Sequence, residues 1–162
     1  MKKYKIGVLV ANLLILLVYF NSSIFQKEEL LKDGQLVLLE LAPVDPRSLM
    51  QGDYMRLSYA ITQNNLPKGM PKRGYCVIKL DENQVAYRER VQEDVSPVYD
   101  GEYVIRYNAA NLWSFNIGAE SYFFQEGKAE KYENAKYGGL KVDRDGHSLL
   151  VGLYDEERRL IE

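Results

Sequence analysis

Between Lys5 and Gln26 the chain carries no charged residue. Ile6 to Phe20 reads IGVLVANLLILLVYF, interrupted only by Asn12, and the run continues through Asn21-Ser22-Ser23-Ile24-Phe25. As a helix, about 20 such residues extend roughly 30 Å, the thickness of a bilayer's hydrocarbon core. A segment apolar on all sides has no polar face to turn to water, which argues against a surface helix of a soluble domain. Two readings fit: a transmembrane helix and a cleaved signal peptide. Cleavage wants small residues at both key positions. The stretch Phe20-Asn21-Ser22-Ser23-Ile24-Phe25 is a poor fit, and no cysteine follows that could take a lipid. An uncleaved single-pass signal anchor is therefore expected, with the lipid bilayer contacted through residues 6–25. Lys2, Lys3 and Lys5 predict a cytoplasmic N-terminus, and Tyr19, Phe20 and Phe25 suit the outer interface. The chain then divides into residues 1–25, anchor and cytoplasmic lysines, and 26–162, an extracytoplasmic domain.

All 23 acidic residues follow the anchor, the first being Glu28, so the domain is acidic although the whole chain carries only −2. That profile excludes a polyanion-binding surface, and no nucleic-acid partner is expected. Cys76 is the single cysteine, so no internal disulfide can form and the domain must rest on its apolar core. Its setting, Tyr75-Cys76-Val77-Ile78-Lys79-Leu80, reads as a packed strand position rather than a reactive thiol. His147 is the only histidine; with Cys76 and carboxylates as its sole companions, no metal site and no cofactor are expected.

After a charged connector from Gln26 to Gly34, a possible continuation of the helix, a two-residue period takes over. Leu36–Leu41 is an apolar strand ended by Pro43 and Pro46. Asp53–Ile61 alternates, with Met55, Leu57, Tyr59 and Ile61 on one face and Tyr54, Arg56 and Ser58 on the other. Tyr75–Leu80 and Gln84–Val91 read as a hairpin around Asp81-Glu82-Asn83. Glu102–Tyr107 and Glu120–Gln125 are further strands, and Trp113 and Phe115 between them are expected to cover a core edge. Gly127–Tyr137 holds good helix formers and stops at Gly138-Gly139, which suits a C-cap. Leu140–Asp143 and His147–Tyr154 form a second hairpin, in which Asp145-Gly146 favours a tight turn. Seven or eight short strands with one short helix predict a mainly β, β-rich α+β domain, an open barrel or sandwich.

The run Asp45-Pro46-Arg47-Ser48-Leu49-Met50-Gln51-Gly52-Asp53-Tyr54-Met55-Arg56-Leu57-Ser58-Tyr59 resembles the GDYXXLXY protein family. Gly52, Asp53, Tyr54, Leu57 and Tyr59 meet every specified position of that pattern. A second stretch is similar to the same family: Phe123 to Gly127, Tyr132 to Gly138, Val142-Asp143 and Leu149 to Leu153. The resemblance covers roughly residues 36 to 155. It implies a membrane-anchored bacterial envelope protein without an assigned activity, in the inner (cytoplasmic) membrane, its domain periplasmic or extracellular. The family's domain also occurs beside polytopic membrane domains, which implies a polytopic membrane protein as partner.

Physically, Gly52 permits a sharp entry into a strand and Asp53 can accept hydrogen bonds from loop amides. Leu57 and Tyr59 fall on the core face. That structural reading competes with a functional one, in which Asp45, Arg47, Asp53 and Arg56 form a polar pocket for an anionic ligand, since arginines fork onto carboxylates and phosphates. Glu126, Glu130, Glu133 and Tyr137 would share a helix face, and Glu126 could pair with Arg47 or Arg56. Glu126 and Glu133 therefore join Asp45, Arg47 and Arg56 as candidate binding residues. An enzymatic alternative is a Ser/Lys hydrolase: the chain is similar in outline to membrane-anchored signal peptidases. The serine those enzymes place before the corresponding proline is missing here, which leaves a Ser48/Lys79 dyad. The leading expectation is a non-enzymatic tethered module that binds another envelope membrane protein.

Overall fold

A computed structural model of the chain describes residues 2–42, 50–51, 54–63, 67, 69–111, 113–125 and 127–162. A long helix, α1 (Lys2–Asp33), leads into β1 (Gln35–Glu40), followed by the short strands β2 (Met50–Gln51) and β3 (Tyr54–Arg56). After a single 3-10 turn at Ala60–Thr62 come β4 (Arg73–Leu80), β5 (Val85–Gln92), β6 (Glu102–Ala109), β7 (Phe115–Asn116) and β8 (Ser121–Phe123). One helical turn, α2 (Ala129–Tyr132), precedes the final hairpin of β9 (Tyr137–Val142) and β10 (Ser148–Tyr154).

Helix α1 holds 32 residues, about 48 Å at the α-helical rise. It is long and apolar enough to cross a membrane, and from Tyr4 to Glu29 no side chain is buried. Beyond the apolar run the helix continues without a break through the expected connector. Its last turn is built into the domain. Leu30 is buried, Gly34 N–H donates to the Leu30 carbonyl at 3.0 Å, and Lys141 Nζ donates to the Gly34 carbonyl at 2.8 Å. A cation at this end of a helix faces the negative pole of its dipole.

Seven strands form one curled sheet in the order β10-β9-β1-β5-β4-β6-β7; β2, β3 and β8 form a second, small sheet. Strand β1 lies inside the large sheet, antiparallel to β9 and parallel to β5. Its Val37 and Leu39 enter the main core, and Leu38 between them is buried on the opposite side. An interior strand covered on both faces is apolar without alternation, which is why Leu36–Leu41 reads as a continuous run. Val77 and Val104 are buried on that second side too. The segment after β5 is held where Arg90 Nη2 and Gln92 Nε2 donate to the Pro97 carbonyl at 2.9 and 3.2 Å.

The sheet curls far enough for distant strands to meet. Arg106 on β6 donates from its backbone N–H to the Gly146 carbonyl at 2.8 Å and from Nε to the Asp145 carbonyl at 3.0 Å. Ser148 Oγ on β10 donates to the Ile117 carbonyl, just past β7, at 3.3 Å. The architecture is thus the expected mainly β fold, an open curled sheet with one long and one short helix.

Three local expectations are corrected. The helix over Gly127–Tyr137 is confined to α2, and Tyr137 opens β9. Six residues of β9 pair with β1 and six with β10, and this pairing outweighs a weak helical propensity. Gly138 and Gly139 are accordingly strand residues, not a cap. A Cβ on Gly138 would lie 2.9 Å from Tyr59 Cε1, and one on Gly139 would lie 2.3 Å from Tyr154 Cε2. Two tyrosine rings pack where those side chains would be. The strand expected over Asp53–Ile61 ends at Arg56, because the chain turns into the 3-10 turn at Ala60. Its burial pattern still alternates as expected, with Met55, Leu57, Tyr59 and Ile61 all buried. Phe115 is buried, but Trp113 is 79% exposed and covers nothing.

Candidate functional site

The residues from Tyr54 to Tyr59 join the two sheets. Strand β3 sits between β2 and β8, with Tyr54 opposite Phe123, Met55 opposite Tyr122 and Arg56 opposite Ser121. Beyond β3 the backbone bonds in two directions. Leu57 N–H donates to the Glu120 carbonyl at 2.9 Å, and the Ser58 carbonyl accepts from Ala42 N–H at 2.7 Å. Tyr59 forms a bridge with Leu41, at the end of β1.

Tyr59 is the keystone of this junction. Its ring is fully buried on Gly138, and its hydroxyl donates to the Ala119 carbonyl at 2.6 Å. Burial, aided by the neighbouring Glu120 carboxylate, raises its ionisation well above that of an ordinary tyrosine, so it acts only as a neutral donor. Leu57 is also buried in the core. Met55, Leu57 and Tyr59 therefore hold the fold, and catalysis finds no access to them.

The exposed side of the same segment is different. Tyr54 and Phe123 pack ring to ring with centroids 5.8 Å apart, and Phe123 is 74% exposed. Arg56 is exposed and makes no hydrogen bond or ion pair among the described residues. It lines a shallow cleft of about 400 Å³ with Ser58, Gln63, Asn116 and Glu120. Gln63 donates to Ser58 Oγ across the cleft. Glu120 Oε1 accepts the backbone N–H groups of Ile117 and Gly118, and Oε2 is uncommitted among the described residues. Behind this surface Tyr132 of α2 packs on Tyr122 and Phe124, with centroid distances of 5.2 and 5.5 Å. Burial and that neighbour push Tyr122 up to about 12.

Asp45, Arg47, Ser48, Gly52, Asp53 and Glu126 lie outside the described residues, so the pocket expected over the proline-containing loop and the Glu126 pairings are not described. Glu133 is exposed, one residue past α2. Among the described residues, Glu130, Glu133 and Tyr137 do not share the expected helix face, because Glu133 follows α2 and Tyr137 is in β9. Lys79 lies 3.4 Å from a Glu89 oxygen and 3.8 Å from a Glu102 oxygen. These ion pairs engage the ammonium that a Ser/Lys dyad would need to leave free.

Two clusters escaped the sequence reading. In the first, Arg90 grips Glu102 with both ends of its guanidinium, at 2.7 and 2.8 Å, while Tyr99 N–H donates to Glu102 Oε2 at 3.0 Å. Those bonds hold the Glu102 carboxyl down at about 2. Arg90 and Glu102 are on strands separated by β4, so no sequence spacing reveals them. In the second, donor atoms of Asp143, Asp145 and His147 all lie within 4.8 Å of one another. Asp143 Oδ1 accepts the N–H groups of Asp145 and His147 at 2.9 and 2.8 Å, and Oδ2 lies 2.7 Å from His147 Nδ1. Closing the turn at Gly146, whose φ is +81°, accounts for this cluster without a ligand.

The model of the GDYXXLXY protein family matches residues 16–153. No curated protein and no solved structure matches. The chain belongs to the GDYXXLXY family.

Proposed function

We propose that this member of the GDYXXLXY family is a membrane-tethered binding module: α1 crosses the inner membrane, and the β-rich domain docks a second envelope membrane protein from the outer side. The observation that carries this reading is the exposed edge of the small sheet, where the Tyr54–Phe123 ring pair stands beside Arg56, which is uncommitted among the described residues. Aromatic residues and arginine are the residue types most enriched at the centres of protein interfaces. Helix α1 supplies tethering and the N-terminal lysines favour a cytoplasmic start. Occurrence of the domain beside polytopic membrane domains, implied by the family resemblance, supports a polytopic partner.

A photo-crosslinking residue at Phe123 in the full chain, activated in intact membranes, tests the proposal. A discrete membrane-protein adduct that is lost on Arg56→Glu supports it. Labelling confined to lipid or the chain itself would sink it. The second reading is an anionic-ligand sensor, in which Arg56, with Arg47, receives a carboxylate or phosphate. The Arg56 guanidinium, unpaired among the described residues, lines the cleft and favours it. Saturable binding of inorganic phosphate or acetate that Arg56→Gln abolishes is its required result. The Ser48/Lys79 hydrolase is the weakest reading, given the two carboxylates around Lys79.

A further inference from the structure

The apolar run ends near Phe25, yet α1 continues to Asp33 before the domain begins. An open cleft of about 1350 Å³ lies between one side of these last turns and the domain, next to the point where Leu30 is built in. One wall is α1 from Ser23 to Asp33, about 15 Å of helix. The other is formed by the segment leading into β6, from Val95 to Val104, and by the β9–β10 turn. Ser23 belongs to the apolar run and is the one residue between Tyr4 and Glu29 that is not exposed. The cleft therefore reaches down the helix to the level at which the apolar run ends.

Strand register places the same segment at that end by an independent route. Gln35, the first residue of β1, pairs with Val142 of β9, and Val142 with Ser148 of β10. Two residues before Ser148 the Gly146 carbonyl accepts the Arg106 N–H of β6, and β6 runs in the same direction as β1, so its first residue, Glu102, lies beyond that bond at the rim where α1 enters. The loop before β6 hangs from that rim. Its tip presents Val98, 41% exposed, and Tyr99, 64% exposed. It is held in place: Arg90 Nη2 donates to the Pro97 carbonyl, Tyr99 N–H donates to Glu102, and the Arg90 guanidinium lies 5.3 Å from the Tyr99 ring centroid.

We infer that the Val98–Tyr99 tip is a second membrane contact, seated in the headgroup layer of the outer leaflet, with lipid headgroups occupying the cleft behind it. This rests on the proposal that α1 spans the bilayer. Tyrosine partitions to the membrane interface, where its ring meets acyl chains and its hydroxyl stays wet. Carboxylates along the cleft, Glu29, Asp33 and Asp100 among them, outnumber its cations Lys27 and Arg144, which favours headgroups that carry an ammonium group over purely anionic ones. One spanning and one interfacial contact together fix the tilt of the domain, so that the Tyr54–Phe123 edge faces its partner in a single orientation.

The test places single tryptophans in the full chain. Trp113 is the only native tryptophan and is exposed, so Trp113→Phe provides a silent background. Into it go Tyr99→Trp and, separately, Phe20→Trp, each reconstituted in phosphatidylcholine vesicles whose headgroups carry a nitroxide quencher in both leaflets. The inference expects the Tyr99→Trp emission to be quenched severalfold by the nitroxide lipid and shielded from aqueous acrylamide. Quenching of Phe20→Trp by chain-brominated lipid reports the anchor independently. If Phe20→Trp is quenched and Tyr99→Trp responds only to acrylamide, the loop is in water and the inference is overturned while the anchor stands. If neither tryptophan meets lipid, the anchor itself fails and the inference falls with it.

Discussion

The contact between Tyr59 and Gly138 joins the two halves of the family signature, and it makes a quantitative prediction. A methyl group on Gly138 would lie 2.9 Å from Tyr59 Cε1, 3.2 Å from its hydroxyl and 3.5 Å from Leu150 Cδ1. Ordinary carbon contacts begin near about 3.5 Å, so two of the three are compressed. Tyr59 cannot swing away, because its hydroxyl is tied to the Ala119 carbonyl and its ring is fully buried. Gly138→Ala is therefore expected to destabilise the domain by about 1–3 kcal/mol through overpacking. That corresponds to a fall of roughly 4–12 °C in Tm for a domain of this size. Tyr59→Leu removes the ring and its hydrogen bond and costs about 2–4 kcal/mol by itself. With the ring gone, the alanine methyl has room. Gly138→Ala in the Tyr59→Leu background is then expected to be neutral, or stabilising by up to about 1 kcal/mol, because glycine is unfavourable inside a strand. The two substitutions are strongly non-additive on this reasoning. The assay is urea and thermal unfolding of the full chain in detergent micelles, followed through the β-sheet circular dichroism signal, which isolates the domain from α1. Additive effects, or a harmless Gly138→Ala in the native background, would refute the argument that the ring and the glycine fit as a pair.

Further expectations concern acid, the thiol and the joint between helix and domain. Because Arg90 and the Tyr99 N–H depress the Glu102 ionisation to about 2, the stabilisation they give is complete above the ordinary glutamate range and is lost as pH falls through about 2. Arg90→Met should lower Tm at neutral pH and flatten that acid limb; an unchanged slope would count against the network. Cys76 is fully buried and its thiol is pushed up to about 12 by that burial, so at about pH 8 a thiol reagent should modify it only as fast as the domain unfolds. Rapid labelling of the native protein contradicts this. Lys141→Met removes the charged donor to the Gly34 carbonyl, at a cost of about 1.5–3 kcal/mol to that joint. Hydrogen exchange at the last turn of α1 should accelerate, and an unchanged pattern there would show the bond to be dispensable.

Much of the fold was legible because its signals are local. The uncharged run announced α1, the Asp145-Gly146 pair announced the final hairpin, and alternation from Met55 to Ile61 identified which side chains are buried. The failures have one cause. The stretch from Gly127 to Gly139 has helix-forming composition ending in two glycines, and local rules turn that into a capped helix. The glycines are instead required by Tyr59 and Tyr154, rings that arrive from 79 residues upstream and 15 residues downstream. Arg90 and Glu102 likewise meet only because β4 lies between their strands.

The candidate site divides in the same way. By itself the sequence determined the family, the long apolar helix and the β-rich class, since each depends on residue type at short spacing. Only the tertiary structure decided that the Tyr59 ring packs on Gly138 and bonds to Ala119, that Phe123 stands exposed against Tyr54, and that Lys79 pairs with Glu89 and Glu102. The physical reason is that burial and ion pairing depend on which strands become neighbours, and strand order is set by the packing of the whole sheet.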